Sequence, residues 1–160
     1  MIASYDKPPA GLEWREAVRA RVLSARSAIL AHPWLRAAIE SRTRRTETVL
    51  ACMNAVAGEF INGGTSVDLA HYAMHALGDR IWGFSPEAFQ GGAPDPAPAD
   101  PEAMMRMMSQ RFPHVTAIAV DSATRNPSGA CDEQFEFEFT LDLLLDAFER
   151  LHAAGWVSKQ

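Results

Sequence analysis

Cysteine is scarce in this chain. Cys52 and Cys131 are the two in 160 residues, too few and too far apart for a disulfide framework or for zinc-motif spacing. Long apolar runs are missing as well, and none approaches the roughly 20 residues that span a bilayer. The first residues, MIASYDKPPAG, have neither the basic start nor the apolar stretch of a secretory signal. Positive charge is also short: 15 Lys and Arg stand against 20 Asp and Glu, a net charge of −5. Residues 1–60 hold nine basic against six acidic residues and residues 61–160 hold six against fourteen. That balance gives no electrostatic footprint for nucleic acid, so direct DNA binding by this chain is not expected. What remains is a cytoplasmic protein of one domain. At 17.5 kDa and 48% apolar residues it has the size and the material to bury a core unaided.

The apolar residues that are present recur at helical intervals. Over 12–31, Trp14, Val18, Val22 (or Arg21), Ala25, Ala28 and Ile29 fall on one side of a helix. His32-Pro33-Trp34 interrupts it, because Pro33 disfavours a helical His32 yet suits the first turn of a new, short helix to about Ser41. The polar run SRTRRT then leads to a third helix in which Val49, Met53, Val56 and Phe60 step by four, three and four. Asn62-Gly63-Gly64 ends it with residues that tolerate positive φ. Thr65 or Ser66 caps the next helix, with Asp68 in its first turn. That helix, to about Trp82, has two apolar faces: Val67, Ala70, Met74, Leu77 and Ile81, and beside them Leu69, Ala73 and Ala76. Two apolar faces suit two partners, of which the second can be another subunit. Residues 91–101, GGAPDPAPADP, carry four prolines and read as an extended, mobile linker. A short helix over EAMMRMMSQRF, a second restarting at Pro113, and a break at RNPSG follow.

The last segment, FEFEFTLDLLLDAFERL over 135–151, opens with the alternation of a strand. Helical spacing explains more of it. Phe137, Leu141, Leu144, Phe148 and Leu151 step by four and three, Phe135, Phe139, Leu143 and Ala147 by four, and Glu138, Asp142, Asp146 and Glu149 form an acidic stripe between them. One helix from about Asp132 to Ala154 accommodates all three series. The predicted fold class is therefore all-α, with about six helices.

Few side chains suggest chemistry. Asp68, His71, His75 and Asp79 share one face of the helix over 67–82, and histidines four apart on a helix can share a metal. A two-histidine metal helix ordinarily needs a second ligand helix, and no Glu-x-x-His pair supplies one. No metal is therefore assigned, and the same stripe also reads as the polar side of the helix. Ser24, Ser27 and Ser66 lack a nucleophile-elbow context, and no glycine-rich phosphate loop follows a strand. Neither an enzyme nor a cofactor is expected. Arg21 stands out because it sits among small residues where an apolar face is expected. A part-buried arginine requires an anionic partner, either a protein carboxylate such as Asp68 or an acid group of a ligand.

With its helices placed, the chain resembles the C-terminal regulatory domain of the tetracycline-repressor (TetR) family of bacterial transcription factors. The resemblance rests on EWREAVRARVLSARSAILAHP, on GTSVDLAHYAMHALGDRIWGF and on FEFEFTLDLLLDAF. It covers residues 12–154 as a regulatory domain, with 1–11 as a connecting segment and 155–160 as a tail. It implies a homodimer whose interface is an intersubunit four-helix bundle, formed by the helix over 67–82 and the last helix of each subunit. It implies as well a small-molecule effector in a cavity lined by Arg21, Ala25, Met53, His71, Met74, His75 and Gly78. Arg21 beside two histidines favours an acidic or polar aromatic ligand. Met104 to Met108, MMRMM, reads equally as a flexible gate over a cavity or as a plain packing segment. Members of the family carry an N-terminal helix-turn-helix, and none precedes LEWREAV here. The chain is thus expected to be a piece of a repressor or a headless relative, the latter serving as a heterodimerisation partner of full-length regulators. A stand-alone metal-binding protein or enzyme built on Asp68, His71, His75 and Asp79 is the alternative from another class.

Overall fold

The computed structural model describes residues 11–32, 34–35, 38, 41, 46–82, 100–125 and 132–159, with backbone alone for 79–82. Six helices account for most of these, and no strand occurs among the described residues: α1 Trp14–Ala31, α2 Glu47–Asn62, α3 Val67–Trp82, α4 Pro101–Arg111, α5 Pro113–Arg125 and α6 Glu133–Ala153. The fold is all-α, and the segment opening FEFEF is helical throughout. The short helix expected from Pro33 to Ser41, the Arg42–Arg45 run, the linker before Asp100 and the RNPSG break after Arg125 lie mostly or wholly outside the described residues.

Local chemistry sets the helix ends. The Thr46 hydroxyl accepts from the Val49 amide, Ser66 from Leu69, Asp100 from Ala103 and Asp132 from Phe135, each satisfying a first-turn donor that has no partner within the helix. Between the two candidates before α3, Ser66 is the cap, while the Thr65 hydroxyl is buried with no hydrogen bond among the described residues. Pro101 opens α4, where its missing N–H is no loss. At the end of α2 the Thr65 amide donates to the Phe60 carbonyl and the Gly64 amide to that of Ile61, with Gly64 at φ +87°. This is the paired closure that places glycine just past a helix. Trp156, Gly155 and the end of α6 repeat the same arrangement.

The described residues divide into two compact units. One contains α4, α5 and the start of α6 to Phe137. The other contains α1, α2, α3, α6 from Glu138 onward and the C-terminal tail. In this larger unit α1 lies antiparallel to α2: Trp14 lies against Phe60, with ring centroids 5.4 Å apart, and against Gly63 at the end of α2, while Arg21 pairs with Glu59 and lies near Cys52 toward its start. It is also antiparallel to α6, because Trp14 meets the edge of His152 while Arg19 reaches back to Asp142 and Glu138. Phe60 and Phe148 close the middle edge to face at 5.9 Å. Val18, Val22, Phe60, Leu69, Ala73, Leu77, Leu141 and Leu145 are almost wholly buried. The tail is fastened to α3, with Tyr72 against Trp156 and the Ser158 amide donating to Asp68 Oδ2 at 2.6 Å.

Two details depart from the spacing expectations. In α6 Leu145 is fully buried and Leu144 only half, so the inner stripe runs Phe137, Leu141, Leu145, Phe148. In α3 the buried face is Leu69, Ala70, Ala73 and Leu77, whereas Val67 is exposed and Met74 half-buried. The inward face thus combines Leu69 and Ala73 of the flatter series with Ala70 and Leu77 of the other stripe, while Ala76 is half-buried.

Candidate functional site

Arg21 projects from α1 toward α2, where its Nε donates to Glu59 Oε1 at 2.7 Å. The guanidinium side chain is 12% exposed and that of Glu59 25%. A cation this sheltered needs its countercharge close by, and Glu59, 38 positions away, supplies it. Asp68 does not, since it is held by the Ser158 amide. The terminal amino groups of Arg21 make no hydrogen bond among the described residues and keep some contact with solvent. Cys52 lies within the field of Arg21. Burial pushes its thiol above the ordinary range, and the positive charge of Arg21 partly opposes that shift. Ala25, one turn beyond Arg21, is buried, and Met53, next to Cys52, is exposed.

The remaining expected residues all belong to α3. His71 and His75 are exposed one turn apart, and Met74 and Gly78 are half-buried on the same side. The two imidazole centroids are 4.7 Å apart with planes at 66°, and Tyr72 presents an edge to His71. This face is turned away from the buried Leu69, Ala73 and Leu77. Among the described residues no hydrogen bond, ion pair or ring contact joins it to Arg21, Ala25 or Met53. The structure thus holds the seven residues as two groups within one unit. The side chain of Asp79 lies outside the described residues, and no cluster of three or more His, Cys, Asp or Glu able to hold a metal occurs among them.

Sequence reasoning missed Glu59 as the partner of Arg21, and it missed the destination of the acidic stripe on α6. Arg19 bonds to Asp142 at 2.8 Å and to Glu138 at 2.6 Å, and Arg15 pairs with Asp146 and lies 3.8 Å from Glu149. The hydrogen bond to Asp142, with help from Glu138 and against the penalty of burial, raises the pKa of Arg19. All four acids of the stripe therefore face two arginines of α1. The visible signal was the matching four-residue spacing of Arg15 and Arg19.

In the other unit a broad, shallow depression is lined by Ser109, Pro113, Thr116, Ala117, Val120, Asp121 and Thr124. None of the expected residues lines it. Met104, Met105 and Met107 are exposed on α4. Among the described residues no helix is long and apolar enough to cross a membrane.

Comparison with the curated proteins and with the solved structures finds no match for the chain. The family model described as "Tetracyclin repressor-like, C-terminal domain" matches residues 7–151. Its span takes in all the described helices except the last residues of α6, and domains of this kind are regulatory rather than enzymatic. The chain belongs to the tetracycline repressor-like C-terminal domain family.

Proposed function

We propose that this chain is the ligand-sensing and dimerisation domain of a TetR-type transcriptional regulator. In the complete regulator, a small molecule bound here changes the spacing of two DNA-reading heads and so releases the operator. The observation that carries this reading is the family match over 7–151. The outward faces of α6 and α3 support the dimer: Leu143 is 52% exposed on the one and Val67 71% on the other. Large apolar side chains exposed on an acidic protein suit a partner surface. A two-fold interface makes that surface self-complementary. The outward face of α3, with Val67, Tyr72, His71 and His75, is the second part of the same bundle.

Arg21, Ala25 and Met53 form the ligand wall in this reading. Because Glu59 already neutralises Arg21, the effector needs no full negative charge. A carbonyl, phenol or carboxylate oxygen can accept from the free amino groups of the guanidinium. Two measurements test the proposal. Sedimentation equilibrium should give a dimer for the native chain and a monomer of unchanged helicity for Leu143→Glu; a native monomer at every concentration would count against it. A thermal-shift screen of small polar aromatics should find ligands that stabilise the native dimer and lose their effect in Arg21→Leu. If every such ligand acts equally on both proteins, Arg21 is not part of the wall.

A further inference from the structure

His71 and His75 are the one pair of imidazoles in ring contact among the described residues, and both stand exposed on α3. Two imidazoles on one tetrahedral ion, with metal–nitrogen bonds of about 2.0–2.1 Å, hold their ring centres about 5 Å apart. The observed 4.7 Å lies close to that value, a separation compatible with two imidazoles sharing one ion. Imidazole suits zinc, nickel and copper ions rather than the oxygen-seeking magnesium or calcium.

Two nitrogens fill only half of a tetrahedral shell. Among the described residues little completes it from within: Asp68, three residues before His71, has Oδ2 engaged by the Ser158 amide. Nor does any third His, Cys, Asp or Glu join the pair among the described residues. A second copy of the chain can supply the remaining ligands. We propose that His71 and His75 form a bidentate site for a divalent transition-metal ion, completed by the same two residues of a second copy. This rests on the dimer reading above, with the outward faces of α3 meeting across a two-fold axis and the two histidines at that axis, where residues meet their own copies. Four imidazoles leave no open position on a tetrahedral ion, so the site clamps the dimer and performs no catalysis. Metal occupancy then becomes a second input to the association of the two subunits, separate from the effector near Arg21.

The test uses the untagged chain, stripped with a chelator and titrated with zinc while its mass is followed by sedimentation. The expected result is one zinc per two chains and dimers that persist to lower concentration when zinc is present. His71→Ala and His75→Ala should each weaken zinc binding by at least the roughly 10-fold that losing an outer-shell partner costs, and the metal-free dimer should survive in both. A metal-free dimer that takes up no zinc, or takes it up equally in both variants, overturns the site and leaves the dimer reading intact. A chain that remains monomeric with zinc overturns both, and one zinc per monomer in that case overturns the sharing directly.

Discussion

Gly58 and Gly63 are five residues apart, yet a methyl group would meet different surroundings at each. At Gly63 an added Cβ would lie 2.4 Å from the Trp14 Cβ and 2.6 Å from its Cγ, atoms too close to the α1 backbone to swing aside. Gly63→Ala should therefore destabilise the protein by about 1–3 kcal/mol, the usual range for overpacking. At Gly58, inside α2, the nearest atom is the amide nitrogen of Asn62 at 3.9 Å, and alanine there should stabilise by about 0.5–1 kcal/mol. Urea denaturation of both variants checks the opposite signs. Cys52 permits a pH prediction. Its thiol is raised by burial, so the folded state favours the protonated form. The resulting stability is present in full below the ordinary thiol value of about 8.5 and is lost as pH rises through the higher folded value. In a Cys131→Ser background, iodoacetamide should alkylate Cys52 at pH 8.5 more slowly in the folded protein than in urea. Arg21→Leu should slow it further, because Arg21 is the charge that opposes the shift.

At the scale of elements, α6 separates two adjacent leucines by burial. Leu145→Ala should cost about 2–5 kcal/mol and Leu144→Ala markedly less, since Leu145 is fully buried and Leu144 is not. Thermal unfolding of the two variants compares them directly. Across the α1–α6 contact, a double-mutant cycle on Arg19 and Asp142 should give a coupling of about 0.5–1 kcal/mol that shrinks with added salt. Both side chains are about a third or more exposed, and solvent screens such pairs. These two cases mark what the sequence could tell. Every described helix was legible from periodicity and caps, because local spacing alone decides it. The choice among Leu143, Leu144 and Leu145 was not, since three consecutive leucines satisfy several helix phases. Which face of α3 turns inward depended on how closely Ala70 and Ala73 admit a neighbour, a property of the pair of helices. Likewise the need of Arg21 for an anion was visible in α1, but Glu59 became its partner only when α2 folded back alongside.

For the whole molecule, the dimer reading predicts a melting temperature that rises with protein concentration, as association removes folded monomer from the unfolding equilibrium. A scanning-calorimetry series across concentrations should show the rise in the native chain and its absence in Leu143→Glu. The larger unit also has a built-in registration device. Arg15 and Arg19 repeat at the interval of one helical turn, and so do Glu138, Asp142 and Asp146 opposite them. Such a ladder is degenerate: sliding α1 by one turn would bring each arginine to another carboxylate with little change in electrostatic energy. The notch at Gly63 that receives Trp14 has no counterpart one turn away. The charges act as a vernier that holds α1 parallel to its track, and the tryptophan is the detent that selects a single stop.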